Sequence, residues 1–174
     1  ANLTDNPQSS TLTIPDRGKA ISWVLSTLTG GTLGTKQVQS APMLTRYQDT
    51  AYQAHGNYGV KYSLTLPLHN PTNQAQTIYL SLQTPVKQEQ LTGGLRFLEP
   101  LPKQVFFRGT VKLSYNGERG LLQTRYLHLV QKRGQRGENL LNITIPPQNR
   151  NLVKIEFLYP PDATPPQVIT IENQ

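Results

Sequence analysis

Apolar and polar residues alternate through the centre of the chain. From Val60 to Leu68 an apolar side chain stands at every second position, and the alternation resumes at Ile78, Leu80 and Leu82. Because successive side chains of a strand point to opposite faces, this pattern predicts strands with one apolar and one polar face. Strands of a parallel sheet are covered on both faces and lack such alternation. The two stretches are therefore predicted to form a hairpin of an antiparallel sheet.

Similar short alternations recur along the chain with turn residues between them, a pattern typical of a sandwich or barrel. The length of 174 residues suits one domain. We predict a single all-β domain over residues 1–174, an antiparallel β-sandwich of Ig-like or jelly-roll type with about 8–10 strands and little or no helix. Residues 1–10 are expected to form a flexible or linker segment. The predicted strands are 11–14, 60–69, 76–84, 104–115, 122–131, 140–145, 152–159 and 167–171.

One stretch, residues 20–31, fits two patterns. Its apolar residues match a helical stripe at Ile21, Val24, Leu25 and Leu28, but also match a strand at every second position. Serine and threonine are frequent in it and weaken a helix. Extended structure is favoured, and a short helix remains the alternative.

The Asn116-Gly117 pair predicts the turn of a second hairpin. A two-residue turn would place Val111 opposite Leu122, and a four-residue loop would place Leu113 opposite Leu122. A five-residue loop with Val111 opposite Arg125 is rejected, because it would bury a charge without a partner.

Two residues of this hairpin have special positions in those registers. His128 is predicted on the apolar face near Val105 or Phe107, as a structural histidine. Gly109 lies in mid-strand, so it is expected to mark a bulge or a place where an aromatic ring crosses the backbone.

The chain is basic, with a net charge of +7 and a pI near 9.8. This favours anionic partners such as acidic polysaccharide, lipid headgroups or nucleic acid. The basic residues are scattered, however, and no nucleic-acid partner is predicted. The chain has no cysteine and no apolar stretch of membrane-spanning length, so neither a disulfide nor a spanning segment is expected.

The best candidate for a binding site is the second half of the stretch from Gly30 to Gly59. Its tyrosines could stack on a sugar ring while neighbouring polar groups bond its hydroxyls. Alternatively, the tyrosines cover an open edge of the sandwich. The candidate ligand-binding residues are Arg46, Tyr47, Asp49, Tyr52, His55, Asn57 and Tyr58.

A second candidate, for anion binding, is the basic, glycine-punctuated turn that carries Lys132, Arg133 and Arg136. The alternative is a turn that is merely solvated. The three histidines show no metal-ligand spacing, so no metal or other cofactor is expected.

Motifs of enzyme chemistry are missing from the sequence. There is no Gly-x-Ser-x-Gly elbow, and the ten acidic residues are far apart, so an acid pair of the glycosidase kind could arise only through folding. Asp49 with a distant partner would be such a pair. An enzyme is not expected.

Several blocks of the chain resemble a cyanobacterial exported protein family, the domain of unknown function thirty-three seventy. The similar blocks are 40–47, 50–60, 105–110 and 159–167, and the resemblance covers nearly the whole chain. It implies an all-β protein located in the periplasm or at the cell surface, of which this chain is a C-terminal portion. It implies no catalytic or binding residue.

Taken together, these features predict a non-enzymatic module of the cell envelope with a structural or binding role. Its expected partner is an anionic or glycan component, such as envelope polysaccharide, or another protein. The alternatives are a lectin-like carbohydrate-binding domain and a glycan-acting enzyme. The sequence does not predict an oligomeric state.

Overall fold

A computed structural model describes residues 1–26, 40–42, 53–55, 60–87 and 94–174. Within these ranges the chain forms strands and no helix. The strands are β1 (Leu12–Thr13), β2 (Lys19–Ser26), β3 (Ser40–Pro42), β4 (Gln53–His55), β5 (Lys61–His69), β6 (Gln76–Gln83), β7 (Val105–Asn116), β8 (Leu122–Lys132), β9 (Asn139–Ile145), β10 (Arg150–Leu158) and β11 (Gln167–Asn173).

Two sheets carry the fold. One has five strands in the order β1-β5-β10-β7-β8, and the other has four in the order β2-β11-β6-β9, while β3 and β4 pair separately. All pairings in these sheets are antiparallel except the one between β1 and β5. The predicted all-β sandwich is confirmed, but the predicted hairpin of β5 and β6 is wrong, because these two strands lie in different sheets. The ambiguous stretch is extended as far as Ser26, and its remainder lies outside the described residues.

The core lies between the two sheets and is built from the alternating positions that the sequence showed. In β5, Leu64, Leu66 and Leu68 are buried, whereas the residues between them are partly exposed. An aromatic cluster continues this core: the rings of Tyr62 and Phe157 stack with centroids 5.0 Å apart. The Tyr62 hydroxyl donates to the Leu25 carbonyl of β2 at 2.8 Å, which ties the two sheets together.

The start of the chain covers one edge of the five-stranded sheet. The Leu3 amide donates to the Thr65 carbonyl of β5 at 2.9 Å. The Asp5 carboxylate accepts hydrogen bonds from the amide and hydroxyl of Thr13, each at 2.7 Å. The opposite edge of this sheet is β8.

The register of the β7–β8 hairpin differs from both predicted registers. Its loop has five residues, 117–121, and pairs Asn116 with Leu122, Val111 with Leu127 and Leu113 with Arg125. The rejection of a five-residue loop was therefore wrong, although Arg125 lies opposite Leu113 and not Val111. Leu113 is fully buried but Arg125 is exposed, because β8 is an edge strand whose first half is exposed on both faces. A charge at an inward-facing position of such an edge remains in water.

The same register corrects the position of His128. Its side chain is exposed opposite Thr110, with 3.3 Å between the Thr110 hydroxyl and Nδ1, so the predicted place on the apolar face is wrong. No bulge occurs at Gly109, since the irregularity lies between Val105 and Phe107. A Cβ at Gly109 would lie 3.5 Å from the Phe107 ring and 3.1 Å from Cγ of Pro160. The missing side chain of Gly109 therefore leaves room for the rings of Phe107 and Pro160.

Candidate functional site

The tyrosine-rich stretch proposed as a ligand site falls largely outside the described residues. This applies to Arg46, Tyr47, Asp49, Tyr52, Asn57 and Tyr58. His55 ends β4, where the backbone alone is described. A ligand site in this stretch therefore remains a prediction, as does an acid pair that includes Asp49.

The basic turn after β8 is held by several backbone contacts. The Lys132 amide donates to Oε1 of Gln135 at 2.7 Å, and the Thr84 amide donates to the Gln135 carbonyl at 3.0 Å. A Cβ at Gly137 would lie 1.8 Å from the Leu82 carbonyl oxygen. Gly137 thus allows the segment after the turn to pack closely against β6.

The three cations of this turn have different surroundings. The Arg136 guanidinium lies 4.7 Å from the centre of the Phe97 ring, in a cation–π contact. Arg133 is exposed, and Lys132 ends β8 on the solvent-facing side of the five-stranded sheet. Anion binding by the turn itself remains a prediction, but Lys132 belongs to a larger group of cations.

This larger group is the solvent-facing side of the five-stranded sheet, called the basic face here. The register places every second residue of β5, β10, β7 and β8 on it. Glu156 is the one carboxylate among these strand residues. Their cations are Lys61, Arg108, Lys112, Lys132, Arg150 and Lys154.

Two of the six cations form ion pairs with Glu156. Its carboxylate contacts Nζ of Lys61 at 3.1 Å and Nζ of Lys112 at 3.4 Å. Hydrogen bonds from Lys61 and Lys112, together with their positive charges, hold the pKa of the Glu156 carboxyl below its usual range. Within the described ranges, no carboxylate lies in salt-bridge distance of the other four cations. These four are available to an external anion.

Exposed apolar side chains stand among the cations. Tyr126 is 68% exposed and lies directly opposite Lys112, with Glu156 on the next strand beyond Lys112. Side chains directly opposite each other on neighbouring strands are close enough to contact one ligand. The other exposed apolar residues of this face are Leu122, Val130, Leu152 and Leu158. The face therefore combines positive charge with an aromatic ring and aliphatic groups.

A cleft of about 500 Å³ opens at one end of the sandwich. Asn173 lines it and is buried; its Nδ2 donates to the Pro15 carbonyl and to Oε1 of Gln76, each at 3.0 Å. Its Oδ1 has no hydrogen-bond partner in the part of the chain that is described. Of the described residues that line the cleft, Asp16 alone is acidic, so these residues do not supply the two carboxylates that glycoside hydrolysis needs.

The described residues show no cluster of three His, Asp or Glu side chains that could hold a metal ion. None of the described segments is a helix long and apolar enough to cross a bilayer.

The basic face could not be found from sequence, because its cations come from four strands and are spaced far apart along the chain. Alternation identifies which residues share a face of one strand. It does not identify which strands are neighbours. The order β5-β10-β7-β8 joins chain segments that are far apart in sequence, as Lys61 and Glu156 show with a separation of 95 residues.

No curated protein and no solved structure is detectably similar to the chain. One family model matches residues 1–173, that of "Protein of unknown function (DUF3370)". This match spans the two sheets, the basic face and the cleft. The chain therefore belongs to the DUF3370 family, whose function is unknown.

Proposed function

We propose that the protein is a non-enzymatic binding module of the cell envelope that holds an anionic envelope component against its basic face. The observation that carries this proposal is the ratio of six cations to one carboxylate on the solvent-facing side of one sheet. The aromatic ring of Tyr126 is exposed among these cations.

A broad, cationic sheet face suits a repeating array of anionic groups better than a single small ligand. Each of Arg108, Lys132, Arg150 and Lys154 can pair with a separate phosphate, sulfate or carboxylate. Individually, such exposed pairs contribute only about 0–1 kcal/mol. Several pairs formed at once by one polymer or surface add up through their high effective concentration. The positive charge of the face also raises the rate of association with a polyanion at low salt.

The envelope location in this proposal rests on the sequence blocks of the chain that resemble a family of exported proteins. The absence of a recognisable catalytic motif supports a binding role. The cleft at the sandwich end, with one carboxylate among its lining residues, does not supply an acid pair either.

Salt elution from immobilised heparin, used as a generic polyanion, tests the proposal. The double variant Arg108→Glu/Lys154→Glu reverses two unpaired cations of the face, and both side chains are exposed, so the fold should persist. We expect it to elute at clearly lower salt than the wild type, because exposed ionic contacts are screened.

The matched control is Arg17→Glu/Lys87→Glu, which changes the net charge equally at exposed sites outside the four strands of the face. It should elute close to the wild type. Equal shifts for the two double variants would mean that net charge alone drives retention, and the assignment to the basic face would be abandoned.

A further inference from the structure

The three most exposed large apolar side chains of the described residues lie within six positions of one another. Leu121 is 67% exposed, Leu122 is 72% exposed and Tyr126 is 68% exposed. Single exposed leucines are ordinary, but neighbouring ones at a turn form a patch. We call residues 119–122 the leucine tip.

The leucine tip is a defined turn. The Gly117 amide donates to the Leu121 carbonyl at 2.9 Å, and the Gly120 amide donates to the Gly117 carbonyl at 2.9 Å. Gly120 has a positive φ of 71°, which glycine adopts without steric cost. Beyond the turn, residues 122–126 are exposed on both faces of the hairpin. The tip therefore projects from the sandwich in an ordered conformation.

Cations surround the leucines. Arg119 precedes them in the turn and Arg125 follows them in β8, and both are exposed. Lys154 lies opposite Ser114, one row of the basic face away from the Asn116–Leu122 pair. Glu118 is the one carboxylate of the loop. Two exposed leucines with cations around them are complementary to the surface of an anionic bilayer, in which charged headgroups cover an apolar interior.

We propose that the anionic component is a lipid bilayer surface, and that Leu121 and Leu122 enter its interface while the cations contact lipid phosphates. This inference rests on the proposed function and names its ligand. A hydrated polysaccharide has no apolar phase for two neighbouring leucines. Pairing of two copies through the tip would bring their cations together, which opposes self-association. Tyr126 suits the headgroup level, where aromatic residues with a polar end are enriched.

Co-sedimentation with vesicles of phosphatidylglycerol and phosphatidylcholine tests the inference, with phosphatidylcholine alone as the uncharged comparison. The wild type should bind the anionic vesicles alone. Leu121→Ser/Leu122→Ser should weaken this binding by about tenfold or more, because apolar burial at the interface is lost. Its elution from heparin should not change, since no cation is removed.

Leu158→Ser is the matched control, because Leu158 is exposed on the same face but about 20 Å along β10 from the row of the tip. Its vesicle binding should stay within about twofold of the wild type. Arg108→Glu/Lys154→Glu should weaken both vesicle binding and heparin retention. Vesicle binding that needs the cations but is unaffected by the leucine substitutions would overturn the lipid inference and leave the proposed function intact.

A direct measurement uses the absence of cysteine from the chain. Leu122→Cys and Leu158→Cys each create one site for an environment-sensitive dye. The dye at position 122 should shift to the blue with anionic vesicles, and the dye at position 158 should not. No shift at position 122, or a wild type that sediments as a dimer and a leucine-tip variant that is monomeric, would show that the tip does not enter lipid.

Discussion

Gly137 shows how a missing side chain lets the link between β8 and β9 pack closely against β6. The residue follows the basic turn, where a Cβ would come within 1.8 Å of the Leu82 carbonyl oxygen of β6. The neighbouring Gln131 reinforces this contact, because its Oε1 accepts a hydrogen bond from the Thr84 hydroxyl at 2.7 Å. The sequence showed the glycines of the turn but not their role, since backbone approach depends on β6, about fifty residues earlier in the chain.

Substitution of Gly137 tests this contact. Gly137→Ala is expected to lower the free energy of unfolding by about 3 kcal/mol or more, because a methyl group at that place requires the backbone to move. Gly109→Ala is the control: its methyl group would meet Cγ of Pro160 at 3.1 Å, so a smaller loss of about 1 kcal/mol is expected. Urea titration measures both values. Equal losses for the two variants would contradict the role given to Gly137.

At the scale of elements, the β7–β8 hairpin shows that periodicity predicts the positions of strands but not the register between them. Alternation located both strands correctly, within one residue at each end. The register was wrong because the paired positions were judged as if both strands were covered. β8 is an edge strand, so Arg125 occupies an inward-facing position opposite the buried Leu113 and still remains in water.

This position of Arg125 has a physical benefit. A long edge strand offers unpaired amide and carbonyl groups to another chain, and a charge that points inward at the edge obstructs such pairing. Arg125→Val is therefore expected to increase self-association, which sedimentation velocity at rising protein concentration would measure. Arg119→Val, in the loop before the strand, removes the same charge and should associate less. If neither variant associates more than the wild type, Arg125 does not protect the edge.

At the scale of the whole molecule, the net charge of the basic face depends on the ionisation of Glu156. Its lowered pKa means that the folded state favours the charged carboxylate more than the unfolded state does. The resulting stabilisation is present above the ordinary pKa of glutamate and is lost as the pH falls through the lowered value. Below that value the face also carries no negative charge.

Glu156→Gln makes this dependence measurable. The midpoint of thermal unfolding of the wild type should exceed that of the variant near neutral pH, and the difference should shrink as the pH is lowered from about 7 to about 3. Glu118→Gln, at an exposed loop position, serves as the control and should show no such trend. A constant difference across this range would mean that the ion pairs with Lys61 and Lys112 do not stabilise the fold.

The sequence alone determined the class of fold, the position of most strands and, for a strand such as β5, the face that is buried, because these follow from local alternation. The alternation from Val60 to Leu68 predicts one buried and one solvent-facing side without knowledge of any partner strand. Tertiary structure alone decided the strand order, the hairpin register and the grouping of Lys61, Lys112 and Lys154 on one surface. Such grouping arises from hydrogen bonds between strands distant in the chain, and the spacing of charges within a sequence carries no record of them.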